Sequence, residues 1–166
     1  MHNNDVLRRV RYALDLSDAA VVELMELGGR PITRPALASM FQRDDAPDFL
    51  PADDHTIIAL LDGLILKNRG PREGVSAPAV VHLDNNLILQ KLRIALTLRE
   101  DDLIAVMKTA GVVVSRGELS ALFRAKGHSN YRPCLDQFLR SFLAGVAETR
   151  QRGVSTRTRG AIPDSP

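Results

Sequence analysis

Apolar residues recur along this chain in short blocks with helical spacing, separated by polar residues, glycines and prolines. In the first block Val6, Leu7, Val10 and Leu14 follow at intervals of one, three and four residues, which places them on one face of a helix. Comparable blocks continue to residue 69 and return over residues 85–152, without the alternation typical of strands. The pattern predicts an all-α protein.

The same pattern occurs twice. Residues 3–66 align with residues 85–148 at a constant shift of 82, without a gap, so that NNDVLRRVRYALDL lies over NNLILQKLRIALTL. Chance similarity between apolar helices would not keep this register through the loops. The sequence therefore predicts two tandem four-helix repeats related by internal duplication. The predicted organisation is repeat 1 over residues 1–69, a linker over 70–84, repeat 2 over 85–152 and a disordered tail over 153–166.

Polar residues and prolines indicate where each helix begins. In repeat 1, Asn3 and Asn4 are suited to cap the first helix and Thr33 the third, because their side chains can accept an amide hydrogen of the first turn. The fourth helix is expected to begin near Pro51, since proline is favoured at a first helical position. Repeat 2 has the same or a similar residue 82 positions later in each case.

Four glycines carry structural predictions. Gly29 and Gly111 follow the second helix of each repeat, where a left-handed residue is expected. Gly63 and Gly145 lie inside the fourth helix, where glycine costs about 1 kcal/mol relative to alanine. Because both repeats contain it, we predict that a neighbouring helix crosses closely there.

The composition narrows the class of protein. With 45% apolar and 25% charged residues, the chain is typical of a soluble globular protein. One cysteine cannot form an internal disulfide, which fits a reducing compartment. The first residues lack the apolar run of a signal peptide, and no stretch reaches 18 apolar residues. These features predict a cytoplasmic protein that does not enter a membrane.

Charge is distributed unequally. The net charge is +2, but residues 1–70 contain 8 Lys and Arg against 11 Asp and Glu, whereas residues 71–166 contain 14 against 9. The loop before the fourth helix is acidic in repeat 1, over residues 44–54, and basic in repeat 2. A basic loop with an aromatic residue can contact phosphate groups. The candidate binding residues are Arg116, Arg124, Lys126, His128, Asn130, Tyr131 and Arg132.

Cys134, the single cysteine, raises the question of a thiol enzyme. It lies near a helix start, where the dipole can lower a thiol pKa, and His128 precedes it by six residues. The repeat alignment places Cys134 over Ala52, however, which favours a small buried side chain. We predict a structural Cys134 and no catalytic residue.

The remaining motifs indicate neither a cofactor nor a metal. The four histidines lack ligand spacing, and the acidic run over residues 44–54 lacks the spacing and central glycine of an EF-hand loop. The two glycines at 28–29 lack the lysine and spacing of a phosphate-binding loop. The sequence therefore favours a non-enzymatic protein.

Two opposite charges are kept in both repeats, although other surface charges differ. An arginine lies in the first helix and an aspartate in the first turn of the fourth helix. A bidentate ion pair between them would join the two helices within each repeat. The predicted pairs are Arg11–Asp54 and Arg93–Asp136.

The repeated segments resemble a known family. NNDVLRRVRYAL, NNLILQKLRIAL and above all NYRPCLDQFLRSFLAGVA are similar to the YehS-like bacterial proteins, a family of duplicated helical domains. The resemblance covers nearly everything from residue 3 to about 150. It implies the duplicated fold and brings no established activity.

Function is therefore argued from the residues. The first interpretation is a protein–protein interaction adaptor, with an unknown partner protein or a second copy of itself. The alternative is a nucleic-acid-binding regulator that uses the basic loop of repeat 2, and the third is a thiol enzyme that uses Cys134. Aromatic residues make up only 4%, with no tryptophan, which argues against extensive stacking on nucleic-acid bases.

Overall fold

A computed structural model of the chain describes residues 1–71 and 82–159, with side chains described as far as residue 153. Every regular element in these ranges is an α-helix, which confirms the all-α class. Each helix of repeat 2 begins 82 residues after its counterpart in repeat 1, as the duplication predicts. Repeat 1 comprises α1 (Asn3–Ala13), α2 (Asp18–Leu27), α3 (Arg34–Met40) and α4 (Asp54–Arg69). Repeat 2 comprises α5 (Asn85–Ala95), α6 (Glu100–Thr109), α7 (Arg116–Leu122) and α8 (Asp136–Arg159).

Several predicted helix ends are confirmed. Thr33 and Ser115 cap α3 and α7, each accepting the backbone N–H three residues further on, at 3.2 and 3.1 Å. Gly29 and Gly111 follow α2 and α6 with φ of 89° and 81°, in the left-handed region.

The fourth helix of each repeat begins later than predicted. α4 starts at Asp54 rather than near Pro51, because Asp53 accepts the Thr56 backbone N–H at 2.8 Å and caps the helix there. α8 starts at the equivalent residue, Asp136.

Asn3 and Asn4 do not cap α1, contrary to the sequence prediction. The N-cap is His2, whose side chain makes no capping hydrogen bond, and both asparagines lie in the first turn. In repeat 2, Asp84 caps α5 by accepting the Leu87 N–H at 2.8 Å. The asparagine side chains are thereby available to other parts of each repeat.

Within each repeat, the second helix crosses the fourth at a glycine. A Cβ atom on Gly63 in α4 would overlap the carbonyl oxygen of Leu24 in α2, and one on Gly145 in α8 would overlap that of Val106 in α6. Both crossings therefore leave no room for a side chain at these positions. The predicted close crossing is confirmed, because the backbones approach at a distance that only glycine allows.

The two repeats pack against each other reciprocally. α1 of repeat 1 lies against α8 of repeat 2, and α5 of repeat 2 lies against α4 of repeat 1. The first helix of each repeat thus contacts the fourth helix of the other, as in a two-fold symmetric dimer joined into one chain. A single hydrophobic core extends through both repeats, from Leu7 in α1 to Phe142 in α8.

The structure describes parts of the segments predicted as linker and tail. α8 continues to Arg159, into the segment predicted as a disordered tail, because adding a residue to an existing helix requires no new nucleation. Leu83, placed in the predicted linker, is buried in the core. The rest of that linker over residues 72–81, and the tail over 160–166, lie outside the described residues. No helix in the described ranges combines the length and apolar character needed to cross a bilayer.

Candidate binding groove in repeat 2

The loop between α7 and α8 is held by an asparagine at the start of α5. Asn86 Nδ2 donates to the carbonyl oxygens of Leu122 and Arg132, both at 2.9 Å, and its Oδ1 accepts the backbone N–H of Cys134 at 2.8 Å. Asn4 makes the same three bonds in repeat 1. Because both ends of the loop are bonded to one side chain, the loop has a defined position relative to the helices.

The predicted ion pairs between the first and fourth helices do not form. The retained aspartate is bonded by an asparagine instead: Asn3 donates to Asp54 at 2.9 Å and Asn85 donates to Asp136 at 2.7 Å. The arginine lies two turns further along the first helix, beyond the start of the fourth. The pairs that the structure replaces in this way are Arg11–Asp54 and Arg93–Asp136.

The two retained arginines stack on phenylalanine rings. The guanidinium carbon of Arg11 lies 4.7 Å from the ring centroid of Phe41, and that of Arg93 lies 4.5 Å from that of Phe123. Arg11 also lies 2.9 Å from a carboxylate oxygen of Asp18. A cation–π contact present in both repeats explains why both arginines were kept.

Cys134 is buried, 5% exposed. Burial, reinforced by the nearby Asp84 and Asp136 carboxylates, raises the pKa of the Cys134 thiol to about 12. The His128 ring does not contact the sulfur; its Nδ1 accepts the Asn130 backbone N–H at 3.0 Å. The predicted burial of the cysteine is confirmed, and the hydrogen bond of its thiol goes to the Leu135 carbonyl oxygen, at 3.8 Å, rather than to an imidazole.

A groove of about 970 Å³ opens beside this loop, between α7 and the first turns of α8. Its lining includes Val112, Leu135 and Phe138, which we call the apolar triad. The Leu135 side chain is 68% exposed. Arg124 and Arg132, two of the predicted binding residues, line the same groove.

The equivalent place in repeat 1 is bridged by polar side chains, which we call the polar triad. Arg30 Nε donates to Thr56 Oγ1 at 3.1 Å, and Arg30 Nη2 donates to Asp53 Oδ2 at 2.5 Å. Burial favours the protonated acid, but the hydrogen bonds from Thr56 and the Arg30 charge outweigh it and lower the pKa of Asp53. The residues of repeat 2 at the three aligned positions are the apolar triad.

Leu135 occupies the N-cap position of α8, where a polar side chain would stabilise the helix. Its carbonyl accepts the first α-helical bond of α8, from the Leu139 N–H at 3.2 Å, which makes Leu135 the N-cap residue. Asp53, at the equivalent position, caps α4 with its side chain. Leucine cannot do so, and the lost cap corresponds to about 1 kcal/mol. In repeat 2 the helix α8 is therefore less stable than a polar N-cap residue would make it, and the apolar side chain of Leu135 is exposed.

The structure divides the four basic residues among the candidate binding residues into two groups. Arg116 is paired with Glu100, at 3.5 Å, and with Asp101 on α6. Lys126 is paired with Asp84 at 3.3 Å. Both of these cations are neutralised by the chain's own carboxylates, and neither lines the groove.

The other two basic residues differ in both respects. Arg124 and Arg132 line the groove, and no carboxylate in the described part of the chain forms an ion pair with either. The polar contact of the Arg124 guanidinium is the His128 ring, at 3.5 Å. Asn130 also lines the groove, whereas the Tyr131 hydroxyl donates to Asn86 Oδ1 at 3.2 Å and supports the loop.

The apolar triad was missed by the sequence analysis. The three residues differ from their counterparts in repeat 1, so identity between the repeats does not reveal them. Other aligned positions, such as Leu87 over Asp5 and Ala144 over Asp62, also change from polar to apolar, and the sequence alone does not single out the triad. Within the described residues, no three or more His, Cys, Asp or Glu side chains are grouped so that they could hold a metal ion.

The fold and the groove define an all-α protein of two interlocked repeats, of which the second has an open, partly apolar groove. The chain belongs to the family described as Protein of unknown function (DUF1456), whose model matches residues 3–70 and again residues 85–153. It is 39% identical over 150 residues to Uncharacterized protein YehS of Escherichia coli (strain K12), which covers 89% of this chain and 95% of that protein. The resemblance stated from the sequence is therefore confirmed. No solved structure matches the chain.

Proposed function

We propose that this protein is a protein–protein interaction adaptor whose repeat-2 groove receives an apolar side chain of a partner protein. The apolar triad carries the proposal. A single exposed leucine is ordinary on a protein surface. Here Val112, Leu135 and Phe138 line one concave site, and its volume of about 970 Å³ is within the range of ligand pockets.

The comparison between the repeats supports a role in binding rather than in folding. Repeat 1 has the same helices and the same asparagine bonds but bridges this place with the polar triad. The fold therefore does not require an apolar surface there. Val112 and Phe138 are half-buried against the core, whereas Leu135 is exposed and leaves its own helix without a side-chain cap. An exposed apolar side chain with this cost is expected where another molecule covers it.

The two other functions considered from the sequence have less support. A nucleic-acid surface needs cations available to phosphates, and Arg116 and Lys126 are already paired with carboxylates. A thiol enzyme needs a reactive thiolate, and the raised pKa of Cys134 keeps this group protonated at neutral pH. The buried free thiol fits a reducing compartment, so we also propose a cytoplasmic location.

The experiment introduces the polar triad of repeat 1 at the aligned positions of repeat 2. The variant V112R/L135D/F138T replaces the apolar triad by the polar triad, and L135D restores a capping residue to α8. We expect this variant to fold, because the same three side chains form the polar triad of repeat 1, with a melting temperature lowered by the loss of the partly buried Phe138 ring. Partner proteins captured from cells of the native host by the wild type should be lost with the variant.

A captured protein counts as a partner only if, once purified, it binds the wild type directly in calorimetry and binds the triple variant at least tenfold more weakly. The matched control is the reverse exchange at one half-exposed position of repeat 1, R30V, which leaves the groove of repeat 2 intact. A direct partner that binds wild type and triple variant equally well would contradict the proposed site.

A further inference from the structure

We infer that the groove recognises an acidic segment of the partner protein, with carboxylates set against Arg124 and Arg132 and an apolar side chain over Leu135 and Phe138. This inference rests on the proposed function of the groove and adds the chemistry of the partner. The structure supplies three independent observations for it: the pairing of the basic residues, the charge distribution along the rim, and the position of the acidic loop of repeat 1.

The basic residues divide into those that are paired with carboxylates of the chain and those that can still bind a carboxylate of another molecule. Arg116 and Lys126, outside the groove, are neutralised by carboxylates of α6 and of the residue before α5. Arg124 and Arg132, inside it, have no such partner in the described ranges. An arginine presents a planar fork of donors that matches a carboxylate in two hydrogen bonds. Two guanidinium groups without a carboxylate partner, beside the apolar triad, therefore fit a segment with both acidic and apolar side chains.

The charges along the groove also predict the orientation in which the acidic partner segment binds. Glu118, the acidic residue of the lining, lies in the first turn of α7, whereas Arg124 follows the last turn of the same helix. The two residues therefore lie towards opposite ends of α7. A carboxylate of the segment is attracted at the Arg124 end and repelled at the Glu118 end, so the acidic side chains should lie towards Arg124 and Arg132.

The acidic segment of repeat 1 does not fit as the occupant. The acidic loop of repeat 1 is fixed to its own repeat: the Leu50 backbone N–H donates to Ser39 at 3.1 Å, and its carbonyl accepts Asn4 at 3.0 Å. The occupant is therefore a segment of another protein.

A random twelve-residue peptide library displayed on phage tests this inference while the partner protein is still unidentified. The wild-type chain is the target, and V112R/L135D/F138T serves as counter-selection, so that retained peptides depend on the groove. We expect the retained peptides to combine an apolar residue with two or more acidic residues. A synthetic peptide of the enriched sequence should bind the wild type with an affinity that decreases as salt increases.

Two double variants with the same change of charge decide the role of the arginines. R124Q/R132Q should weaken the peptide at least tenfold, whereas R116Q/K126Q should leave its affinity within about twofold. E118Q should strengthen binding slightly, because it removes the repulsion at the far end of the groove. Thermal unfolding of each variant shows whether it is folded before its affinity is interpreted.

The outcomes separate this inference from the proposed function. Groove-dependent peptides without acidic residues, or with unchanged affinity for R124Q/R132Q, would overturn the acidic partner and leave the adaptor proposal standing. A failure to enrich any groove-dependent peptide would overturn both. A mass that doubles with concentration and returns to the monomer in R124Q/R132Q would identify a second copy as the occupant. A labelled oligonucleotide that binds the wild type but not R124Q/R132Q would identify nucleic acid; either result overturns the inference.

Discussion

The side-chain oxygen of Asn86 accepts the backbone N–H of Cys134 at 2.8 Å, 48 residues further along the chain. Asn4 holds Ala52 in the same way at 3.0 Å. Each asparagine also donates to two carbonyl oxygens of the same loop region. One side chain in each repeat therefore satisfies the carbonyl of the last residue of the third helix and two backbone groups of the loop that follows. Backbone groups left unpaired are costly when buried.

Replacing either asparagine by alanine should destabilise the protein by about 2–4 kcal/mol, because three backbone groups lose their partners together. N4A should cost more than N86A, since Asn4 is buried, 5% exposed, and Asn86 is partly accessible to water. Urea unfolding measures both. N68A, which removes the hydrogen bond from Asn68 to the Ala95 carbonyl near the surface, is the matched control and should cost about 1 kcal/mol or less. Equal effects of all three variants would contradict this account.

The glycine crossings predict opposite effects for the same substitution. G63A and G145A place a methyl group against a backbone carbonyl and should each destabilise by about 1–3 kcal/mol, G63A more because its overlap is deeper. Gly117 lies in α7 with open space around its Cα, so G117A should stabilise by up to about 1 kcal/mol through helix propensity. Thermal unfolding of the three variants gives the comparison, and stabilisation by G63A or G145A would show that the helices can separate without cost.

Cys134 should behave as a packing residue. Its buried thiol, with a pKa raised to about 12, should react with iodoacetamide at pH 8 far more slowly than free cysteine, and at a comparable rate once urea unfolds the chain. C134A should cost less than about 2 kcal/mol, because repeat 1 already carries Ala52 in this place and only one small group is removed. Rapid alkylation of the folded protein would indicate a reactive site after all.

The sequence predicted the parts of the fold that depend on local spacing or on identity between the repeats. The helical faces follow from apolar periodicity, and the crossings at Gly63 and Gly145 follow because mid-helix glycine has no local advantage. The roles of Asn3 and Asn4 could not be assigned, because a helix cap and a long-range clamp require the same short polar side chain. Only the three-dimensional distance to the loop distinguishes them.

The site was predicted in part for a related reason. Arg124 and Arg132 stood out as members of a basic loop, but so did Arg116 and Lys126, and sequence contains no information on which cation already has a carboxylate beside it. The predicted Arg11–Asp54 pair follows from opposite charge, whereas position along the first helix determines which side chain reaches Asp54. The amide of Asn3, two turns closer to the start of the fourth helix, replaced the expected guanidinium.

The polar triad makes the stability of repeat 1 depend on pH. This dependence distinguishes the contribution of the Asp53 charge from that of the shape of its side chain. The pKa of Asp53 is lowered in the folded protein, so the folded state binds the proton of this group less readily than the unfolded chain does. The stabilisation by the carboxylate is therefore present above the unfolded pKa, near 4, and is lost as the pH falls through the folded value.

D53N keeps a residue that caps helices well and removes only the charge. It should be less stable than the wild type at pH 7, by a small margin because half of the Asp53 side chain is exposed to solvent, and the difference should close between about pH 4 and pH 2. L135D is the complementary control: it adds a carboxylate at the same helix position in repeat 2, where Val112 replaces the arginine, and should stabilise α8 at neutral pH through the cap alone. Urea unfolding at several pH values measures both, and a D53N deficit that persists unchanged at pH 2 would show that Arg30 and Thr56 are held by shape rather than by the charge of Asp53.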